Sequence, residues 1–233
     1  MTPALFDQVL GLGDDALVAA QRMAEWCARA PELEEDVALA NIALDLLGQA
    51  RALLSYAGEL EGLGRGEDEL AFLREESEFT NVQLVELQNG DFARTVAKLL
   101  FFGVHQHLLY TELSAGESRL AAIAAKAAKE TGYHAGHAEI WTLRLGDGTS
   151  ESHRRMQEAV DHVWPYTHEL AEVSGLGGPW LERVSGVLDA AGLRRPDDDW
   201  APGGGRSGVH TEALGPLLAE LQYLRRAHPG ARW

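Results

Sequence analysis

The segment from Leu33 to about Ala57 is apolar on nearly every face a helix can present. Val37, Leu39, Ala40, Ile42, Leu44, Leu46 and Leu47 crowd it at helical spacings. A helix of that kind needs other elements around it, which predicts a central position in a helical bundle. The rest of the chain keeps the same period. Ala and Leu are abundant, β-branched residues are sparse, and apolar positions recur every three or four residues.

Thr2-Pro3 reads as an N-cap with proline in the first turn, opening a helix to about Arg29 that Gly11 and Gly13 weaken. Pro31 marks a turn, and so short a link makes this helix and the apolar one antiparallel neighbours. After the Gly58–Gly66 break, a short helix is predicted over about Asp68 to Phe79. Asn89-Gly90 then turns the chain, and Asp91 caps a third long helix to about Ser114. Ala115-Gly116 closes a second hairpin, and a fourth helix runs to about Leu145 with Gly146 as its stop. Two helical hairpins separated by a long crossing connection make the ferritin-like topology. Further helices are predicted over about Ser150 to Val173, Trp180 to Ala191 and Thr211 to Ala227, with a loop over Arg194 to Gly208. The expectation is all-α: one ferritin-like domain over 1–233, with a four-helix core over about 3–146 and a C-terminal extension over about 150–233.

The 20 basic and 36 acidic residues of the 233 leave a net charge of −16, which argues against nucleic acid or an anionic membrane as partner. It suits a basic protein surface. A single cysteine, Cys27, excludes a disulfide framework and any cysteine-based metal site, and it reads as a small core residue. The first residues carry acids within their apolar part, unlike a signal peptide, and no run reaches about 18 apolar residues. The expected location is cytoplasmic.

Ferritin-like bundles often hold two irons, with one Glu from each of two helices and a Glu-x-x-His from each of the others. Here the second helix offers Asp45 with Gly48 in the histidine slot, and Asn41, Asp45 and Gln49 form a polar line at four-residue spacing. Asp14 and Asp15 read as solvent-facing acids beside the Gly11–Gly13 weak point, or else as acids level with Asp45. The fourth helix offers Glu130, His134 and His137 on one face. Their ends stand about 10 Å apart along the axis, too far to chelate one ion together. The third helix has Phe101, Phe102 and Gly103 level with Glu130 and no carboxylate there. His105 and His107 point to different sides. Asp15, Asp45, Glu130 and His134 therefore fall short of a ligand set and read as a vestige. The expectation is no catalytic residue, no metal ligand and no cofactor. If the acids are buried, they need cationic partners in place of iron. His153, His162 and His168 read as surface or capping residues, and His210 as a cap for the last helix or a partner contact.

Three segments carry a family resemblance: Glu25-Trp26-Cys27 with Ala30-Pro31-Glu32-Leu33-Glu34; the run Ala38 to Arg51; and the tail from Gly208-Val209-His210-Thr211-Glu212 through Leu214-Gly215-Pro216 to Trp233. They closely resemble the PaaC family of the bacterial multicomponent phenylacetyl-CoA 1,2-epoxidases. That resemblance implies a structural subunit in aerobic phenylacetate catabolism. Its partners would be a sister ferritin-like A subunit that holds the di-iron centre and the CoA ester, a small B subunit and a reductase. The interface is expected on the first two helices, where Trp26 and Tyr56 lie, and in the C-terminal segment with Arg225, Arg226 and Trp233. The competing readings are a ferritin-like di-iron metalloenzyme acting in its own right and a helical protein that sequesters a CoA ester.

Overall fold

The computed structural model describes residues 3–198 and 200–231, with side chains from residue 5 onward. The cap expected at Thr2 and the interface residue expected at Trp233 lie outside the described residues. Among the described residues the chain is helical with no strand, as the sequence predicts. The helices are α1 (Pro3–Ala24), α2 (Leu33–Glu61), α3 (Glu67–Phe72), α4 (Gln83–Glu86), α5 (Phe92–Leu113), α6 (Arg119–Gly146), α7 (Ser150–Val163), α8 (His168–Ser174), α9 (Gly177–Ala190) and α10 (Leu214–Ala227).

The boundaries differ from expectation where backbone chemistry intervenes. The helix expected from Ser150 to Val173 breaks at Trp164, because Pro165 lacks an N–H and its ring crowds the preceding turn. A 3-10 turn over Trp164–Thr167 carries the chain into α8. The helix expected to Arg29 stops at Ala24, and Ala28 adopts a left-handed φ of 63°. Cys27 thereby falls in the turn and is exposed, which corrects its assignment to the core. The helix expected over Asp68 to Phe79 is α3 followed by a 3-10 turn at Glu76–Glu78, and the short α4 has no counterpart among the expected elements.

The described residues group into two compact units, one running to Gln88 and resuming at Gly204, the other spanning Asn89–Gly203. In the first, α1 and α2 pack side by side, with α3, α4 and α10 completing the unit. Leu39, Ile42, Leu46 and Leu53 of α2 are buried, with Val9, Leu12 and Leu17 of α1 in the same core. The opposite face of α2 is apolar too, yet Leu33, Val37, Leu44 and Leu47 are exposed. The all-round apolarity therefore belongs to a helix half covered by its own chain, not to a fully enclosed one. An 18-residue window of α2 has a mean hydropathy of 1.4, enough by length and composition to cross a bilayer, but 44% of it is buried inside the protein.

The second unit pairs α5 with α6 and adds α7, α8 and α9. The starts of α5, α6 and α7 are capped by side-chain oxygens, as expected at Asp91 and also at Ser118 and Thr149, which accept from the amides of Arg94, Ala121 and Ser152. Each such cap contributes about 1 kcal/mol. Phe101, Trp164 and Trp180 form its aromatic centre, with ring centroids 5.6–5.8 Å apart. His153 caps the end of α6, its Nδ1 lying 2.8 Å from the Gly146 carbonyl oxygen.

Candidate functional site

Two adjacent acids sit in the middle of α1, and both Asp14 and Asp15 are 0% exposed. That corrects their reading as solvent-facing acids. Successive helical residues point about 100° apart, so one counter-charge cannot serve both, and the fold supplies two. Arg74, from the turn after α3, is itself buried and pairs with Asp14 through both terminal nitrogens, Nη1 at 3.0 Å from Oδ2. The Thr80 amide and hydroxyl donate to the same carboxylate at 2.9 and 3.1 Å. Arg74 also donates to the carbonyls of Leu70 and Glu78 and lies over the Phe79 ring, 4.1 Å from its centroid.

Asp15 is held by Arg206, whose Nη2 is 2.5 Å from Oδ2 and Nη1 2.9 Å from Oδ1, while the Val82 amide donates to Oδ1 at 2.8 Å. Arg206 continues to the carbonyls of Gly11 and Thr80. A Cβ at position 11 would stand 3.0 Å from the Arg206 guanidinium carbon, so glycine is what lets the cation lie against α1. Gly13 likewise admits Leu54, which a Cβ would meet at 2.8 Å. The two glycines that read as weak points are close-approach positions.

A third carboxylate completes the cluster. Glu86 of α4 is fully buried and accepts from His210 Nδ1 at 2.7 Å, the Thr211 amide at 2.7 Å and the Asn81 amide group at 2.9 Å. His210 Nε2 faces the Phe79 carbonyl oxygen at 2.9 Å. Both ring nitrogens thus meet acceptors, which only the doubly protonated imidazolium satisfies. Burial pushes the His210 pKa down, but the Glu86 hydrogen bond and charge, the Phe79 carbonyl and Glu76 outweigh it and raise it above the ordinary histidine value. The Glu86 carbonyl accepts from Arg22 at 3.0 and 2.6 Å. The segment Arg206–Thr211 is thereby tied to α1 and to the stretch around residues 79–86. His210 neither caps α10 nor faces outward. Arg74, Arg206 and Glu86 are not singled out by the sequence. His210 does carry a signal, as part of the Gly208–Glu212 run of the tail.

The other sequence-predicted residues are dispersed. Asp45 is half-buried on α2, in the same unit as Asp15. Glu130 and His134 belong to the second unit, where Glu130 pairs with Lys126 at 3.0 Å and His134 is buried. Gly103 packs against α6, a Cβ there lying 3.3 Å from the Ala135 amide nitrogen. His107 meets the Ala128 carbonyl at 3.0 Å. Of the expected interface residues, Arg226 donates to the carbonyls of Phe72 and Arg74 and pairs with Glu75. Among the described residues no three His, Cys, Asp or Glu side chains are placed to hold a metal ion. The donor set does not fit a pair of irons: the acids of α1 already have both oxygens on guanidinium groups, and α2 has glycine in its histidine slot.

The model of the phenylacetic acid catabolic protein family, which spans PaaA and PaaC types, matches residues 1–175 and 170–233. The chain is also 46% identical over 241 aligned residues to the C subunit of the 1,2-phenylacetyl-CoA epoxidase of Escherichia coli (strain K12), covering 96% of this chain and 97% of that one. A ferritin-like bundle is consistent with that family.

Proposed function

Because the chain belongs to the phenylacetic acid catabolic protein family, we propose that it is the non-catalytic, structural subunit of a phenylacetyl-CoA epoxidase. A subunit role in phenylacetate catabolism follows from the extent of the match to a C subunit. The finer reading pairs it with a di-iron catalytic A subunit, alongside a small B subunit and a reductase, in the cytoplasm. It keeps the description of one ferritin-like domain over 1–233, and it assigns the chain no catalytic residue and no metal ligand.

One observation carries the non-catalytic part. The buried acids of α1 are matched by Arg74 and Arg206, cations that hold the carboxylates and oppose a metal ion at the same place. Replacing a buried metal by arginine keeps the carboxylates compensated, as burial requires. The cluster then serves to fix the C-terminal segment against α1.

The test is iron content and activity measured together. The purified chain is loaded anaerobically with Fe(II), stripped of loose metal and analysed, then assayed for phenylacetyl-CoA epoxidation with and without the A subunit. Iron near zero on this chain, with activity only when the A subunit is added, is the expected result. About two irons per chain, lost on Glu130→Ala, would establish the metalloenzyme reading instead.

A further inference from the structure

We propose that the outer face of α2 is the seat of an amphipathic helix from the catalytic partner subunit, apolar where it meets α2 and basic where it meets the acidic start of α2. This rests on the reading of the chain as an epoxidase subunit and adds the face used and the chemistry of what occupies it.

Leu33, Val37, Ala40, Leu44, Leu47 and Gly48 follow the three-and-four spacing of one helical stripe, opposite the buried stripe of Leu39, Ile42, Leu46 and Leu53. Leu33 is 75% exposed, Val37 54% and Leu44 65%. A contiguous apolar face of this kind marks an interaction site rather than ordinary surface. It runs about 21 Å along the axis, or roughly four helical turns. Beside it lies an apolar groove of about 440 Å³ between α1 and α2, lined by Leu17, Ala20, Ala40, Leu44, Leu47 and Leu221. Small residues along the walls with leucines among them suit the ridge of an incoming helix.

Gly48 supplies an independent observation. It sits inside a 29-residue helix, where glycine is less favourable than alanine. A Cβ there would meet nothing within 4 Å. The fold of this chain therefore has no use for the missing side chain, unlike Gly11 and Gly13. A neighbour that approaches closely does.

Charge selects the occupant. Glu32, Glu34 and Asp36 stand at the start of the stripe and outnumber the exposed Arg29 of the preceding turn. Asp36 accepts from the Arg29 and Ala30 amides, and the chain as a whole carries −16. Arg51, at the far end, is engaged by Glu67 at 2.8 Å. A basic-flanked helix is attracted, whereas a second copy of this chain would bring a further −16 against it. Anionic lipid is repelled as well. Moreover, the inner face of α2 is locked into the core, so the helix cannot leave to enter a bilayer.

The experiment measures the dissociation constant of the full chain for the purified A subunit, for wild type, Leu44→Asp, Gly48→Leu and Gly48→Ala. Leu44 is exposed and a side chain at position 48 meets open space, so thermal unfolding of each isolated variant should match wild type. Gly48→Ala should unfold at the same or a higher temperature. Expected is a loss of tenfold or more in affinity for Leu44→Asp and Gly48→Leu, a smaller loss for Gly48→Ala, and weaker binding as salt rises. Equal binding by folded Leu44→Asp and Gly48→Leu would overturn the assignment of this face. If wild type itself does not bind the A subunit, the subunit reading fails first. Self-association, or binding to phosphatidylglycerol vesicles, that disappears with Leu44→Asp would assign the face to a second copy or to a membrane, and either result overturns the proposal.

Discussion

Arg206 holds Asp15 across 191 residues of sequence with both terminal guanidinium nitrogens, at 2.5 and 2.9 Å, in a space that the glycine at position 11 leaves open. The contact joins the C-terminal segment to the middle of α1. It also accounts for an acid at a position where the helical pattern calls for a hydrophobe.

Arg206→Ala leaves Asp15 fully buried with the Val82 amide as its remaining described donor. Breaking a buried pair from one side costs about 3–5 kcal/mol. Arg206 is 27% exposed, so the expected loss is near 3 kcal/mol, at the lower end of that range. Urea unfolding monitored by circular dichroism measures it. A change below about 1 kcal/mol would mean that water reaches Asp15 and that the pair adds little to stability.

The Asp14–Arg74 pair is more deeply buried, and it separates charge compensation from packing. Arg74→Met strands Asp14 and is expected to cost about 3–5 kcal/mol. Asp14→Leu combined with Arg74→Met removes both charges and should recover part of that loss. Recovery is incomplete, because Arg74 also serves the carbonyls of Leu70 and Glu78 and covers the Phe79 ring. A double-mutant cycle in urea reads the coupling directly. Additive losses would show that the two side chains act independently.

His210 makes the clamp sensitive to pH. Its folded pKa is raised, so the folded state holds the proton more tightly than the unfolded chain. The linked stability is fully present below the ordinary histidine value of about 6.5 and is lost as pH rises through the folded pKa. Above that, one ring nitrogen has no proton to offer either Glu86 or the Phe79 carbonyl. Urea midpoints should therefore fall as pH rises above about 6.5 and through the folded pKa, and His210→Gln should flatten that fall. An unchanged slope in His210→Gln would place the pH dependence elsewhere.

Period and turn chemistry make much of this molecule legible from sequence. The long helices α1, α2, α5 and α6 follow from apolar spacing, and Asp91 is readable as a cap because it follows Asn89-Gly90 directly. Pro165 carries its own warning, yet the apolar period runs across it and conceals the break. The charge cluster is not legible. Arg74 and Arg206 are remote from Asp14 and Asp15 in sequence, and an acid beside two glycines looks the same whether it meets water or a guanidinium. The apolarity of α2 is plain in the sequence but the exposure of its outer face is not, since sequence cannot say whether a hydrophobic face is covered by its own chain or by another.

The second unit rests on Trp180, and its indole separates hydrogen bonding from packing. Nε1 donates to the Phe101 carbonyl at 2.9 Å, an oxygen inside α5, while the ring packs edge-on to Phe101 and beside Trp164. Trp180→Phe removes the donor and keeps an aromatic ring, while the Phe101 carbonyl retains its helical partner within α5, so it should cost about 0.5–1.5 kcal/mol for the lost bond plus a little for a small void. Trp180→Ala also opens a cavity between two aromatic neighbours, which typically costs about 3–5 kcal/mol. Urea unfolding of the two variants gives both numbers. If Trp180→Phe costs as much as Trp180→Ala, the hydrogen bond to α5 rather than the ring holds α9 in place.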